Sequence, residues 1–228
     1  KPSEGQGAGG GMEIPLDVVK SPIKPATGWV NTPKDAKEFT LLLGGGYIHR
    51  PCLIKKNEAG IYDTVAVYKN KKSIEPIAVL PKGKMVTGII DEGMKNSQRY
   101  MCNRSLKVME MAEDGSDVKM YISTAVDINN DIVWHPQWLH KAVCENLGYP
   151  PPTSYLTAQD VNLNAAMLDC WDDICSWQAK SIKYLVDNEG VEVVFSHLHN
   201  VDDQEHCFIR YMTDKGHNKI SEETARQW

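Results

Sequence analysis

The hydrophobic period changes partway along this chain of 228 residues, and that change constrains the fold more than any other feature. From about residue 39 to 128, apolar side chains alternate with polar ones in short runs. From about 158 to 189 they recur every three or four residues. A period of two belongs to strands with one packed and one wetted face, and a period near 3.6 to a helix with one apolar stripe. The two patterns follow one another instead of interleaving. The first part therefore reads as a small antiparallel sheet, and only the second as part of an α/β arrangement.

Turn chemistry sharpens the first part. Asn57-Glu58-Ala59-Gly60 separates residues 52–56 from 61–69, which predicts a hairpin. Pro81-Lys82-Gly83 marks a turn between 77–80 and 85–90. Residues 105–111 and 118–123 flank Glu113-Asp114-Gly115-Ser116. Leu106 and Val108 alternate with Lys107, and Val118, Met120 and Ile122 alternate with Lys119 and Tyr121, so one face of this hairpin should pack and the other face water. Gly44-Gly45-Gly46 lacks the lysine and hydroxyl residue that follow in a phosphate-binding loop, and reads as a turn. Residues 1–38, glycine-rich and then broken by Pro15, Pro22, Pro25 and Pro33, read as an extended arm or linker.

After about residue 130 the signals become helical. Residues 136–148 predict a short amphipathic helix ending at Gly148. Pro150-Pro151-Pro152 interrupts the chain. The stripe Val161, Ala165, Leu168, Trp171, Cys175, Ala179, Ile182 and Leu185 then predicts one long helix closed by Gly190. The apolar run 191–195 reads as a buried strand. Helix, glycine, strand and polar loop make half of an α/β unit, whose ligand edge lies at the strand's carboxyl end. The chain thus divides into an arm at 1–38, a β-rich segment at 39–130, and a partial α/β segment at 131–228. A further helix begins near Ser221.

Bulk properties exclude little else. A formal net charge of −5 argues against a broad nucleic-acid surface, and duplex binding is not expected. No run approaches the roughly 20 apolar residues of a membrane span. Six cysteines without a Cys-x-x-Cys pair read as free thiols in a reducing compartment, which favours a cytoplasmic location. Asn103-Arg104-Ser105 matches a glycosylation acceptor.

The chemistry concentrates in one loop. His197, His199, Asp202, Glu205 and His206 place five candidate metal ligands within ten residues, directly after the run 191–195. On an extended segment His197 and His199 face the same way. Asp202 and His206 stand four apart, so a helical turn after Val201 would put both on one face, able to chelate one cation. Carboxylate and imidazole together suit zinc, with manganese or iron as alternatives. Elsewhere the bland reading prevails. His49, His135, His140 and His217 are isolated, and Asp169, Asp172 and Asp173 read as a solvated helix face.

From His199 to His206 the sequence resembles the alkaline-phosphatase superfamily, in particular its type I phosphodiesterase and nucleotide pyrophosphatase members. These carry an aspartate after a core strand and a histidine four residues later, here Asp202 and His206. The resemblance covers about residues 155–228. It implies an alkaline-phosphatase-like α/β core in which residues 39–130 form a β-rich cap or insertion. It also implies a two-metal hydrolase of phosphate esters, acting on a small phosphate ester or a nucleotide, with Asp202 and His206 on one metal. Glu205 stands where the family has glycine. The second metal's Asp-His-Gly stretch and the serine or threonine nucleophile are not recognisable. The expectation is an internal piece of a larger enzyme, with little turnover by itself. A sulfatase or phosphonate hydrolase of the same superfamily is an alternative, as is a non-catalytic module that binds a substrate or partner.

Overall fold

The computed structural model describes residues 21–152 and 161–197. They fall into two units divided between Thr153 and Ser154. The class is mixed α and β, with antiparallel pairing between the strands of both sheets.

In the first unit, five strands form a meander in sequence order: β1 (Lys24–Pro25), β2 (Lys37–Leu43), β3 (Ile48–Lys56), β4 (Tyr62–Val67) and β5 (Ala78–Pro81). A second sheet holds β6 (Met85–Lys95), β7 (Gln98–Met111) and β8 (Val118–Ile122), and the short β9 (Val126–Asp127) also pairs with β7. Three turns show why these residues fold back where they do. Gly44, Gly45 and Gly46 all have positive φ, which three successive side-chain-bearing residues would resist. A Cβ on Gly44 would also sit 2.7 Å from the Cβ of Met94 on β6, so the β2–β3 turn presses on the second sheet with bare backbone. At the β3–β4 hairpin the Asn57 carboxamide oxygen accepts from the Ala59 and Ile61 amides, the local capping that makes asparagine a turn residue. At the β7–β8 hairpin Asp114 accepts from the Ser116 amide.

Pro81-Lys82-Gly83 does turn the chain, but not into a hairpin. The Gly83 amide donates to the Val108 carbonyl, and β5 and β6 pair with different strands, so this turn carries the chain from one sheet to the other. The two sheets share one core. Phe39, Leu41, Ile54, Val65 and Leu80 from the first meet Ile89, Leu106, Val108, Val118 and Met120 from the second. Burying each such side chain is worth about 1.5–3 kcal/mol.

The expectation that the β7–β8 hairpin keeps one wet face is overturned. Every residue of β7 from Cys102 to Val108 is buried, including Asn103, Arg104, Ser105 and Lys107, and so is Tyr121 on β8. The chain that follows β8 contributes partners to these groups. Ser123 accepts from the Ser105 amide through its hydroxyl, and Asn103 donates to the Pro150 and Tyr149 carbonyls at 2.9 and 3.4 Å. Alternation therefore overstates exposure wherever a later segment folds back. The acceptor match at Asn103 lies in the interior, with its amide nitrogen already committed.

A short helix, α1 (Trp138–Leu147), ends at Gly148 as expected, although Val143 is its buried residue while Trp138 is 54% exposed. In the second unit α2 (Val161–Asn188) is one long helix. Its buried positions Ala166, Cys170 and Ser181 differ from the predicted stripe, in which Leu168 and Ala179 are exposed. These three small side chains mark the face that is covered. Gly190 takes positive φ, and the Val191 amide returns to the Leu185 carbonyl at 3.3 Å, closing the helix where the sequence placed its end.

Candidate functional site

The predicted strand after α2 is not formed. Residues 191–197 run without strand pairing, and Val193, Val194 and Phe195 are exposed, Phe195 at 96%. The reason is physical: an extended segment becomes a strand only when a neighbour takes its amide and carbonyl groups, and no described strand does so. Tyr184 donates to Glu189 at 2.9 Å, which fixes the point where the chain leaves the helix.

Of the predicted ligands, His197 is described and stands exposed at the end of this segment. His199, Asp202, Glu205 and His206 lie outside the described residues, as do Cys207, His217 and Ser221. Among the described residues no three histidine, cysteine, aspartate or glutamate side chains gather as a metal would require. The isolated histidines behave as expected where described. His49 contacts the Gly46 carbonyl at 3.0 Å, and the His140 ring meets Trp134 edge to face at 5.6 Å. Asp172 is exposed, but Asp173 is half-buried, and loss of solvent pushes its carboxyl above the ordinary range against the pull of Lys180.

Two charged clusters were not anticipated. The first ties the sheets together. Arg50 on β3 grips Asp91 on β6 through Nε at 3.0 Å and a terminal nitrogen at 2.7 Å, and the same nitrogen reaches Glu92 at 2.6 Å. The third guanidinium nitrogen donates to the His49 carbonyl at 3.0 Å, and Arg99 also reaches Glu92. Hydrogen bonding from Arg50 holds the Glu92 carboxyl below its usual value despite partial burial. Burial works against the Arg50 charge, but the two carboxylates more than restore it. Each carboxylate here is occupied by a guanidinium that cannot release a proton, so the cluster is a cross-tie and offers no acid or base.

The second cluster surrounds Glu38 on β2. Burial alone would raise its carboxyl, but hydrogen bonds from Lys71, the Trp29 indole and the Thr27 amide hold it below the usual value. Lys71 stands at 2.7 Å, the indole nitrogen at 2.5 Å, and Lys24 at 3.4 Å. This one carboxylate pins the segment from Ala26 to Ala36 across the outer side of the first sheet, over Leu53, Ala66 and Tyr68. Neither cluster could be found from spacing, because Arg50 and Asp91 are 41 residues apart and Lys71 and Glu38 are 33 apart.

Among the described residues Cys52, Cys102 and Cys170 are buried free thiols, and Cys144 and Cys175 are partly buried free thiols. Burial pushes the Cys52 thiol far above its ordinary value, and no described thiol is placed as a nucleophile. No described helix is long and apolar enough to cross a membrane. No family model matches the chain, and neither a curated protein nor a solved structure matches it.

Proposed function

We propose that this chain contributes to a metal-dependent phosphoesterase, with Asp202 and His206 as ligands of one divalent cation. The observation that carries the reading is the density of ligands after α2: one carboxylate and three imidazoles at 197, 199, 202 and 206, with Asp202 and His206 four apart. The donor set suits zinc, and manganese or iron would take it with added oxygen ligands. When bound, such an ion supplies charge that polarises a phosphoryl oxygen or activates a nucleophile. On this reading residues 131–228 belong to an alkaline-phosphatase-like α/β core, and the β-rich segment is a cap. The substrate is a phosphate ester or a nucleotide. No residue of this chain is assigned as the nucleophile.

The capped end of α2 supports the reading, because Gly190 releases the chain into an apolar extended run with the ligands directly beyond it. The test is metal content after dialysis against zinc or manganese. A near-equimolar metal that is lost in both Asp202→Ala and His206→Ala is expected. A metal-free wild-type chain, or one whose metal survives both substitutions, would remove the proposal. Hydrolysis of bis-p-nitrophenyl phosphate is expected to be weak, because nucleophile and second metal site are not recognised. A second reading, a non-catalytic binding module, draws on the first unit, which has a full two-sheet core of its own.

A further inference from the structure

The net charge of −5 hides an uneven distribution. Residues 21–84, which hold the whole first sheet, carry eleven lysines and arginines against five aspartates and glutamates; the other residues carry fourteen against twenty-five. Ten of the eleven cations are lysines, and the one arginine, Arg50, is consumed by the cross-tie. Three of these lysines gather around Glu38, Trp29 and Tyr68 on the outer side of the sheet. Lys71 and Lys24 share the single carboxylate of Glu38, Lys71 lies 5.7 Å from the centre of the Trp29 ring, and Trp29 meets Tyr68 at 5.1 Å. Lys55 sits 5.8 Å from the centre of the Tyr68 ring. Lys34 and Lys72 in the adjoining loops are exposed and form no ion pair with a described residue. Two ammonium groups thus share one buried carboxylate, a third sits against the neighbouring Tyr68 ring, and Lys34 and Lys72 add two exposed charges in the adjoining loops.

We infer that this outer face, built on Lys24, Lys34, Lys55, Lys71 and Lys72, docks a flexible polymer of closely spaced oxyanions that carries no stacking bases. Charge complementarity selects the anion. Lysine ammonium groups are point charges without the planar fork of arginine, so they read charge density and not the shape of one phosphate or carboxylate. The absence of bases follows from the rings. Single-stranded nucleic acid needs open aromatic faces on which bases stack. Here the Trp29 ring is taken up by Tyr68 and Lys71, and the Tyr68 ring by Trp29 and Lys55. The inference rests on the first unit alone and is independent of any metal at Asp202 and His206.

Inorganic polyphosphate and heparin supply the same oxyanion repeat from two sources, and binding of the full chain to each is measured by fluorescence anisotropy from low to moderate salt. Binding of at least one polymer is expected, falling steeply with salt as counterions are released. Which polymer binds tells phosphate from sulfate. The triple variant Lys34→Gln, Lys55→Gln, Lys72→Gln should lose about tenfold or more in affinity at low salt and show a shallower salt slope. A charge-matched triple elsewhere, Lys95→Gln, Lys141→Gln, Lys183→Gln, should bind as wild type. Circular dichroism of both triples checks that they fold. The inference is overturned if neither polymer binds, if both triples weaken binding equally, or if poly-dT binds as tightly as the better of the two polymers.

Discussion

The first unit hides its apolar pattern and the described part of the second displays it. In the two-sheet unit nearly every residue of the expected packed faces is buried, from Phe39 and Leu41 to Val118 and Met120. Along 191–195, an equally apolar run, Val193 stands 69% exposed and Phe195 almost wholly so. Composition does not distinguish the two. Closure does. A meander supplies each strand's neighbour from the next few residues, so its hydrogen bonds and core assemble from local sequence. A strand of the α/β kind depends on neighbours far away in the chain or on another molecule, because parallel strands are joined only by long crossovers.

The comparison can be broken at the cross-tie first. Arg50→Met leaves Asp91 without its guanidinium and Glu92 with Arg99 alone, and should destabilise the first unit by about 3–5 kcal/mol, read as a lowered urea midpoint. The double variant Arg50→Met, Asp91→Leu should recover much of that loss, since the cost lies in the stranded charge more than in the missing attraction. A double variant no better than the single would show that the tie itself stabilises. Next comes the core. Leu80→Ala, on the strand that leads across to the second sheet, should cost about 2–5 kcal/mol. Gly115→Ala is smaller, about 1–3 kcal/mol, because the added methyl would lie 2.9 Å from the Tyr62 ring and the backbone has positive φ. At the bottom of the scale, Phe195→Ser should leave thermal stability unchanged within about 0.5 kcal/mol. A large loss on that substitution would mean that Phe195 is covered in solution, and the contrast between the units would collapse.

Acid sharpens the same contrast. Glu38 and Glu92 have carboxyls held below the ordinary 4.5 in the folded protein. The unfolded chain therefore takes up protons first as pH falls, and the stability these groups supply is present above about pH 4.5 and lost progressively below it. Urea midpoints of the first unit should be level from neutrality down to about pH 5.5 and then decline. A Glu38→Gln variant should start lower and decline less.

Much of the first unit was legible because its signals are local. Asn57-Glu58-Ala59-Gly60, the glycine triplet at 44–46 and Asp114-Gly115 name their own turns, and alternation names one packed face. The burial of Asn103, Arg104 and Ser105 was not legible, since their partners include groups between Ser123 and Pro150 that fold back. The ends of α1 and α2 were readable at Gly148 and Gly190, but the buried face of α2 was not. There the covered positions are the small residues Ala166, Cys170 and Ser181, which carry weak hydrophobic signal. The run 191–195 misled because strand propensity is a statement about fitting a sheet, and no described sheet receives it. Of the candidate site only His197 falls among the described residues, so its ligand chemistry still rests on the order of residues in the chain.

The placement of Asn103 makes the folded chain selective about modification. Its amide nitrogen faces two carbonyls inside the protein, where a sugar has no room. If this chain were made in a secretory host, a glycan at that position would mark only molecules that met the transferase before the second sheet was covered. The glycosylated fraction would then act as a clock, recording how slowly residues 123–150 settle over β7.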